Sequence, residues 1–333
     1  MAEYNGILIC GEVVDGKIAA ITRELLSVGR KLGNSLGQPL KALLIGKNIE
    51  EEAKEVIALG ADKVYIIDGP TFANSHPDLY VAMITGACDQ LLPSIVLLGQ
   101  TDIGRDIAPR LAARLKTTAA MDCVDLVIDS ESKLLLQTRP VYGGNALAVW
   151  ASESCQPQII TMRPRSVAPA EPDTSRKGQI ESFTVEVKDS SIKGKLVETV
   201  KEEVAGIKLE DAKVIISGGG GIGGTEGFEM LQELAHVLGG TVGVTRVPCD
   251  EGWMPMTLEI GQTGRIVGPD LYIAVGISGA VQHMAGCSGS KHIVAINKDP
   301  DAHIFKEADF GLVGDYKQAI PALIEKCKAL LAT

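Results

Sequence analysis

The sequence predicts an α/β protein of two domains, each built on a mostly parallel sheet with flanking helices. Short apolar runs alternate with segments of helical periodicity along most of the 333 residues. This alternation, with short connections, is typical of parallel strands joined by right-handed helical crossovers. The chain length fits two domains of ordinary size. We predict an N-terminal domain over 1–188, a linker or hinge over 189–211 and a C-terminal domain over 212–333.

The N-terminal part pairs buried-strand patterns with amphipathic helical patterns. Asp102 stands directly before the last of these helical patterns, where an aspartate can cap free backbone N–H groups, so we predict it as the N-cap. The predicted strands are 6–12, 41–46, 63–68 and 94–99, and the predicted helices are 18–36, 49–60, 77–92 and 103–116.

The pattern changes to extended runs between about 123 and 163, and YGGN at 142–145 predicts a hairpin turn there. Residues 164–181 are rich in proline and small or charged residues, which indicates a loop. A further strand is predicted at 182–188, followed by helical propensity at 195–205.

The C-terminal part resumes the alternation and predicts a second, doubly wound α/β sheet. Its predicted strands are 213–217, 241–246, 271–276, 292–296 and 310–313, and its predicted helices are 225–238, 280–286 and 316–331.

Composition excludes several classes of function. The formal charge of −10, without a basic patch, argues against nucleic acid as a partner. The seven cysteines are scattered and form no CxxC, which indicates reduced thiols and no metal site. The N-terminus lacks the pattern of a signal peptide, and no apolar run is long enough to span a bilayer. We therefore expect a cytoplasmic protein without membrane insertion.

The glycine run SGGGGIGG at 217–224 contains a formal GxGxxG made of Gly218, Gly220 and Gly223. It follows a predicted strand and precedes a predicted helix, the context of a dinucleotide-binding fingerprint. The next strand ends near Arg246, where an arginine could meet a 2′-phosphate. Taken alone, the run fits an NADP-dependent dehydrogenase, and it fits a flexible strand–helix turn equally well.

Two later strands also end in small and polar residues. The strand at 271–276 opens into Ser278 and Gly279, and the strand at 292–296 ends on Asn297. Open α/β sheets bind ligands at the carboxyl ends of their strands, and glycines let backbone N–H groups approach a phosphate. The residues alone therefore predict a nucleotide-type cofactor site.

These segments also resemble a known family. GQTG at 261–264, LYIAVGISGAVQHMAG at 271–286 and IVAINKDPDAHIF at 293–305 are similar to the flavin-binding half of the electron-transfer flavoprotein α subunit. The resemblance implies a Rossmann-like C-terminal domain that binds FAD without a covalent bond. It also implies an N-terminal assembly domain that docks on a β subunit, and an electron carrier without catalytic residues rather than a stand-alone enzyme.

By this resemblance, particular positions are expected to meet the cofactor. Arg246 would lie against the flavin ring, the Thr263 hydroxyl would donate toward N5, and His283 would lie near the C2 carbonyl. The family's glycine loop usually reads GGRG with its arginine at the cofactor, and Gly220 stands there instead, which removes a cation. The expected cofactor-binding residues are Gly220, Thr245, Arg246, Ile260, Gly261, Gln262, Thr263, Ser278, Gly279, Ala280, Val281, Gln282, His283, Asn297, Asp315 and Tyr316.

A fixed cation beside the ring would favour reduced flavin. At 4 Å and an effective dielectric near 20 the Coulomb energy is about 4 kcal/mol, which corresponds to roughly 150 mV per electron before solvent screening.

The resemblance further implies electrons arriving from acyl-CoA dehydrogenases in fatty acid oxidation and leaving to a quinone oxidoreductase. Some members of the family instead work in bifurcating complexes, in which a β-subunit FAD takes electrons from NADH. Two alternatives stay open at this point: an NADP-dependent dehydrogenase that uses the 217–224 run, and a non-redox protein that binds an adenine nucleotide.

Overall fold

A computed structural model describes residues 3–14, 16–68, 77–144, 146–153, 155–185 and 207–331. Its contacts divide the chain into two compact units. The first contains Met1–Pro140 and Leu147–Val200, and the second contains Val141–Ala146 and Lys201–Thr333. The hinge predicted at 189–211 and the helical segment at 195–205 fall largely outside the described residues, and the predicted boundaries remain predictions.

The first unit is built on seven parallel strands in the order β12-β5-β4-β1-β6-β11-β7. A three-stranded sheet in the order β10-β9-β8 and a two-stranded hairpin of β2 and β3 accompany it. The strands are β1 (Ile7–Gly11), β2 (Val13–Val14), β3 (Lys17–Ile18), β4 (Leu40–Gly46), β5 (Lys63–Asp68), β6 (Ile95–Gly99), β7 (Ala119–Cys123), β8 (Asp125–Ile128), β9 (Leu135–Val141), β10 (Ala146–Ala151), β11 (Gln158–Met162) and β12 (Gln179–Ser182).

Helices cover both faces of this sheet, as the continuous apolar runs require. On β1, Ile7 and Ile9 face one core cluster, and Leu8 and Cys10 face another. The first cluster includes residues of α1 (Ala20–Leu36) and α2 (Glu50–Ala58), and the second includes residues of α3 (Pro77–Leu91) and α4 (Asp102–Leu115).

Three details of the first unit differ from the sequence-based expectation. The N-cap of α4 is Thr101 rather than Asp102, because the Thr101 hydroxyl accepts a hydrogen bond from the Gly104 N–H at 3.1 Å. Of the strand expected at 182–188, Ser182 ends β12 (Gln179–Ser182), which pairs with β5, residues 183–185 are not in a strand, and 186–188 lie outside the described residues. The strand β7 was not predicted. The turn expected at 142–145 does connect β9 and β10 through a 3₁₀ turn at Tyr142–Gly144.

The second unit carries a five-stranded parallel sheet in the order β14-β13-β15-β16-β17, which confirms the predicted doubly wound fold. The first strand, β13, has β14 on one side and β15 on the other, so its carboxyl end is a topological switch point. The elements are β13 (Val214–Gly218), α5 (Thr225–Val237), β14 (Thr241–Val244), α6 (Arg246–Asp250), β15 (Leu271–Val275), α7 (Val281–Cys287), β16 (His292–Asn297), β17 (Phe310–Val313) and α8 (Tyr316–Leu331).

The two faces of the second sheet are buried by different helices. Ile216 and Val275 pack with residues of α5 and α8, whereas Ile215 and Tyr272 pack with residues of α7. The side chains of parallel strands thus enter both cores in alternation. Because the five strands are parallel, their carboxyl ends all lie at the same edge of the sheet.

Within the part of the chain that the structure describes, no helix is both long and apolar enough to cross a membrane. The same residues contain no cluster of three or more His, Cys, Asp or Glu side chains that could hold a metal ion.

The buried carboxyl group of Glu24 predicts a pH-dependent stability. Glu24 lies on α1, is 7% exposed and accepts a hydrogen bond from the Arg165 N–H at 2.8 Å. Burial raises its pKa to about 7, above the 4.5 of an unfolded chain. The folded state therefore binds the proton more tightly, and the stabilisation present below pH 4.5 is lost as the pH rises through 7. We expect the free energy of unfolding to fall by up to about 3 kcal/mol over this window.

Urea unfolding at pH 5 and pH 8 measures this effect. The Glu24→Gln variant should show a smaller loss between the two pH values than the wild type, and the exposed Glu50→Gln variant should behave as the wild type. An identical pH dependence in wild type and Glu24→Gln would contradict the assignment.

Candidate functional site

The switch point is built by two glycine loops in backbone contact. The Gly219 N–H donates to the Val275 carbonyl at 2.9 Å, and the Gly221 N–H donates to the Gly276 carbonyl at 3.0 Å. A Cβ atom on Gly219 would lie 2.3 Å from the Gly276 oxygen, and Gly276 itself has a φ of +61°. Any side chain at these positions would push the loops apart. The loops after β13 and β15 therefore form one continuous cradle.

The glycine loop leads into α5, whose first backbone N–H groups have no partner within the helix. The N-cap position, Gly224, supplies no side-chain cap, and Gly220 and Gly223 are exposed. From the other side of the loop, the Tyr316 hydroxyl donates to the Ile222 carbonyl at 2.8 Å and holds the loop in place. Exposed N–H groups at a helix N-terminus attract a phosphate.

Gly220 itself contributes only backbone here. A Cβ atom at this position would meet Val247 Cγ1 at 3.1 Å, so a side chain would fit after a small shift. The arginine that the GGRG loop of the similar family places here is replaced by Gly220 in this chain. The positive potential of the loop therefore comes from backbone N–H groups and the helix N-terminus.

The end of β14 presents an exposed arginine beside the cradle. The Thr245 N–H donates to the Gly218 carbonyl at 3.0 Å, and the strand stops at Val244 rather than at the predicted residue 246. Arg246 begins the short helix α6, with its side chain 62% exposed and its Nε atom 3.2 Å from Asp250 Oδ2. An exposed pair of this kind contributes about 0–1 kcal/mol, so the guanidinium can leave Asp250 at little cost.

The GQTG turn lies between the end of β14 and the start of α7. The Ile260 N–H donates to the Val244 carbonyl at 2.8 Å, and the Gln262 N–H donates to the Gln282 carbonyl at 2.7 Å. The side chains of Gln262 and Thr263 are exposed, and Gly261 is buried with a φ of +154°. The fold thus brings the predicted residues 260–263 and 280–283 together.

His283 is a buried residue with both ring nitrogens bonded inside the protein. Nδ1 lies 2.9 Å from the Ile260 carbonyl oxygen, and Nε2 lies 3.0 Å from the Tyr272 hydroxyl. A carbonyl oxygen only accepts, so Nδ1 carries the hydrogen and Nε2 accepts from Tyr272. Burial lowers the pKa of His283 to about 4, which keeps the ring neutral. A bond from His283 to a flavin C2 carbonyl would require Nε2 to leave Tyr272 and take up a hydrogen.

The loop after β15 is held from the neighbouring strand. Asn297, the last residue of β16, donates from Nδ2 to the Ile277 carbonyl at 2.8 Å. The Ile304 N–H donates to the Ser278 carbonyl at 3.0 Å, and a Cβ on Gly279 would lie 2.3 Å from the Ile304 nitrogen. Asn297 therefore positions this loop through its side chain. Ser278, Ala280, Val281 and Gln282 are exposed along it.

Asp315 and Tyr316 lie at the start of α8, at the same edge of the sheet. Asp315 Oδ1 accepts from the Lys317 N–H at 2.9 Å, and its Oδ2 lies 3.2 Å from Lys298 Nζ. The hydrogen bond from Lys317 and the charge of Lys298 lower the pKa of Asp315. Tyr316 is 4% exposed. In this structure both residues have structural contacts, and their expected contacts with the cofactor remain predictions.

Several residues of this edge were not found from the sequence. Lys298 follows Asn297 directly and places a cation at the site. Because ligands bind at the carboxyl ends of parallel strands, the sequence pattern could have identified this position. Tyr272, Glu259 and Asp250 act through contacts with other residues, and a single sequence carries little signal for such contacts. A tyrosine in the otherwise aliphatic strand LYIAV was the one available hint.

Comparison with protein families agrees with this architecture. Residues 7–188 match the electron transfer flavoprotein domain, and residues 208–288 match the electron transfer flavoprotein FAD-binding domain. The second match covers the glycine loop, Arg246, the GQTG turn and α7. The second unit is therefore a flavin-binding domain.

Individual relatives cover almost the whole chain. The electron transfer flavoprotein subunit alpha of Thermoanaerobacterium thermosaccharolyticum is 46% identical over 330 residues, covering 99% of this chain and 100% of the relative. That of Bacillus subtilis is 43% identical, with 97% and 98% covered. The lactate dehydrogenase (NAD(+),ferredoxin) subunit LctC of Acetobacterium woodii is 37% identical, covering 96% of this chain and 76% of the relative. The chain belongs to the electron transfer flavoprotein alpha-subunit family.

Proposed function

We propose that this chain binds one FAD non-covalently in its C-terminal domain and passes electrons as part of a heterodimer with a β subunit. The observation that carries the proposal is the glycine cradle at the switch point, within the segment that matches an FAD-binding domain. This family membership favours the flavoprotein interpretation over the NADP-dependent dehydrogenase and the non-redox nucleotide-binding protein. We also keep the cytoplasmic location as part of the proposal.

The residues at the edge of the sheet fit the parts of FAD. The backbone N–H groups in the first turn of α5 suit a diphosphate, because they have no partner within the helix and the neighbouring Gly220 and Gly223 are exposed without side chains. The exposed guanidinium of Arg246 and the polar turn at 261–263 suit the flavin ring with its carbonyl and N–H groups. The flavin supplies the electron-transfer chemistry, and the protein supplies binding, orientation and electrostatics.

The roles of the individual side chains follow from their positions. Arg246 would favour added negative charge on the ring, since its guanidinium is an exposed cation at the carboxyl ends of the strands. His283, held neutral by burial, would exclude water and keep the Ile260 carbonyl in place. No side chain of this edge is assigned the role of a catalytic acid or base.

We propose two routes for the electrons. In one, acyl-CoA dehydrogenase-type flavoenzymes donate them and a quinone oxidoreductase accepts them. In the other, a bifurcating complex takes them from NADH through a β-subunit FAD, and the similarity to a lactate dehydrogenase (NAD(+),ferredoxin) subunit supports this second route. Reduction of the purified complex by NADH alone would select the second route, and reduction by an acyl-CoA dehydrogenase with its substrate would select the first.

An exposed apolar face in the first unit suits the β subunit. In the β8–β10 sheet, Leu126 and Leu135 are buried in the core. On β10, Leu147 is 64% exposed and Val149 is 60% exposed. Residues two apart on a strand point to the same side, so these two side chains form one apolar surface. We assign this surface to the docking of the β subunit.

Charged residues on this surface should weaken assembly. The Leu147→Glu, Val149→Glu double variant should lower the affinity for the β subunit at least about tenfold, because two buried apolar side chains each contribute on the order of 1.5–3 kcal/mol. Analytical ultracentrifugation of mixed subunits measures this affinity. Val14→Glu, a control at an exposed apolar residue of the same unit, should leave assembly unchanged. Wild-type affinity in the double variant would place the interface elsewhere.

Removing the Arg246 cation should lower the midpoint potential of the bound flavin. We expect Arg246→Ala to lower it by tens of millivolts, below the roughly 150 mV that an unscreened charge at 4 Å would give. Arg246→Lys should retain much of the wild-type potential, and Asp250→Asn should raise it slightly because the guanidinium loses its carboxylate. Spectroelectrochemical titration checks these shifts. An unchanged potential in Arg246→Ala would place the arginine away from the ring.

A further inference from the structure

Glu259 is a buried carboxyl side chain beside the GQTG turn. Only 2% of the residue is exposed, although glutamate is rarely buried in proteins. Its Oε1 atom accepts a hydrogen bond from the Thr263 hydroxyl at an oxygen–oxygen distance of 2.6 Å. This distance is typical of a hydroxyl that donates to a charged acceptor.

The backbone around Glu259 fixes this contact. Its carbonyl oxygen accepts from the Arg265 N–H at 2.7 Å, and Glu259 forms a parallel bridge with Val244 at the end of β14. A Cβ atom on Gly264 would lie 2.3 Å from the Glu259 carbonyl oxygen and 2.9 Å from its Cγ. The turn therefore folds tightly over Glu259, which holds its carboxyl group below Thr263.

This bond determines what the Thr263 hydroxyl offers to a ligand. A hydroxyl has one hydrogen to donate and two lone pairs that accept. Because Glu259 takes the hydrogen, the exposed side of Thr263 Oγ1 offers lone pairs only. A ligand group that faces this oxygen must therefore be a donor. The sequence-based expectation, in which Thr263 donates toward the flavin, has the opposite direction.

We propose that Glu259 is a positioning residue that turns Thr263 into a hydrogen-bond acceptor for an N–H group of the flavin ring. The proposal rests on the proposed function. The isoalloxazine ring has an N3–H in both redox states and gains an N5–H when it takes up two electrons and a proton. If Thr263 accepts from N3–H, Glu259 strengthens the binding of both redox states. If Thr263 accepts from N5–H, Glu259 strengthens the binding of the reduced flavin only and raises its midpoint potential.

The thiol of Cys249, whose pKa responds to the charge of Glu259, does not compete for this role. Burial raises the pKa of Cys249 to about 11, and the charge of Glu259 adds to the shift. Cys249 is 9% exposed and its Sγ contacts the Pro255 carbonyl at 3.6 Å. This thiol stays neutral at ordinary pH, so the Thr263 hydroxyl is the group that Glu259 orients.

The test compares Glu259→Leu, which has no acceptor for the Thr263 hydrogen, with Thr263→Val and the double variant in the complex with the β subunit. Dissociation constants are measured for oxidised FAD and for FAD reduced with dithionite. The loss of one hydrogen bond should weaken binding roughly five- to tenfold in each single variant. A tenfold change confined to the reduced state would lower the potential by about 30 mV for the two-electron couple and identify N5–H. Equal changes in both states would identify N3–H.

The double variant separates positioning from a general effect. If Glu259 acts through Thr263, then Glu259→Leu should have no further effect on the Thr263→Val background. The Thr263→Ser variant keeps the hydroxyl and should retain wild-type affinity. Glu24→Gln, a buried carboxyl in the other unit, should leave flavin affinity unchanged. Additive losses in the double variant would overturn the proposal.

A second measurement needs no flavin. The infrared carboxylate band of Glu259, identified in the flavin-free complex by difference with Glu259→Gln, should shift in Thr263→Val because a hydrogen bond is lost. A band that does not move would overturn the inference directly. A band that moves in a protein that binds no FAD would confirm the Glu259–Thr263 contact, contradict the proposed function, and overturn the claim about flavin recognition.

Discussion

The close approach of two glycine loops is the constraint on which the site depends. Gly219 and Gly221 contact Gly276 through backbone atoms alone, at the point where the strand order of the second sheet reverses. This contact uses the N–H groups of Gly219 and Gly221, and it leaves the N–H groups in the first turn of α5 for a ligand. Arg246, the GQTG turn and α7 then surround the same edge because β14 and β15 end there. The cofactor site thus follows from topology and from the absence of side chains at three positions.

The electrostatics of this edge contrast with the acidic chain as a whole. The chain carries a formal charge of −10, yet the edge presents the exposed cations Arg246 and Lys298 and the N-terminus of α5. Such an arrangement suits an anionic dinucleotide. The buried groups have a different function from the exposed ones. His283 is neutral and both of its ring nitrogens are bonded, and Glu259 fixes the direction of one hydroxyl.

The sequence predicted the fold well, because the fold depends on local patterns. Apolar runs, glycines at strand ends and the motif at 261–264 are visible in one chain. The details that it did not predict depend on contacts between distant residues. Thr101 caps α4 because its hydroxyl also reaches Glu12, and β12 pairs with β5 across more than a hundred residues. The donor and acceptor roles of His283 and Thr263 likewise depend on Tyr272 and Glu259.

We propose above all that the second unit holds a flavin at its switch point. The most direct measurement is the flavin content of the complex purified after co-expression with its β subunit, with the released cofactor identified by chromatography. Gly276→Ala serves as the comparison, since its Cβ would meet Gly221 at 2.9 Å. We expect FAD in the wild-type complex and a large loss of it from this domain in Gly276→Ala. A colourless wild-type complex that takes up no added FAD, or a variant with undiminished content, would contradict it.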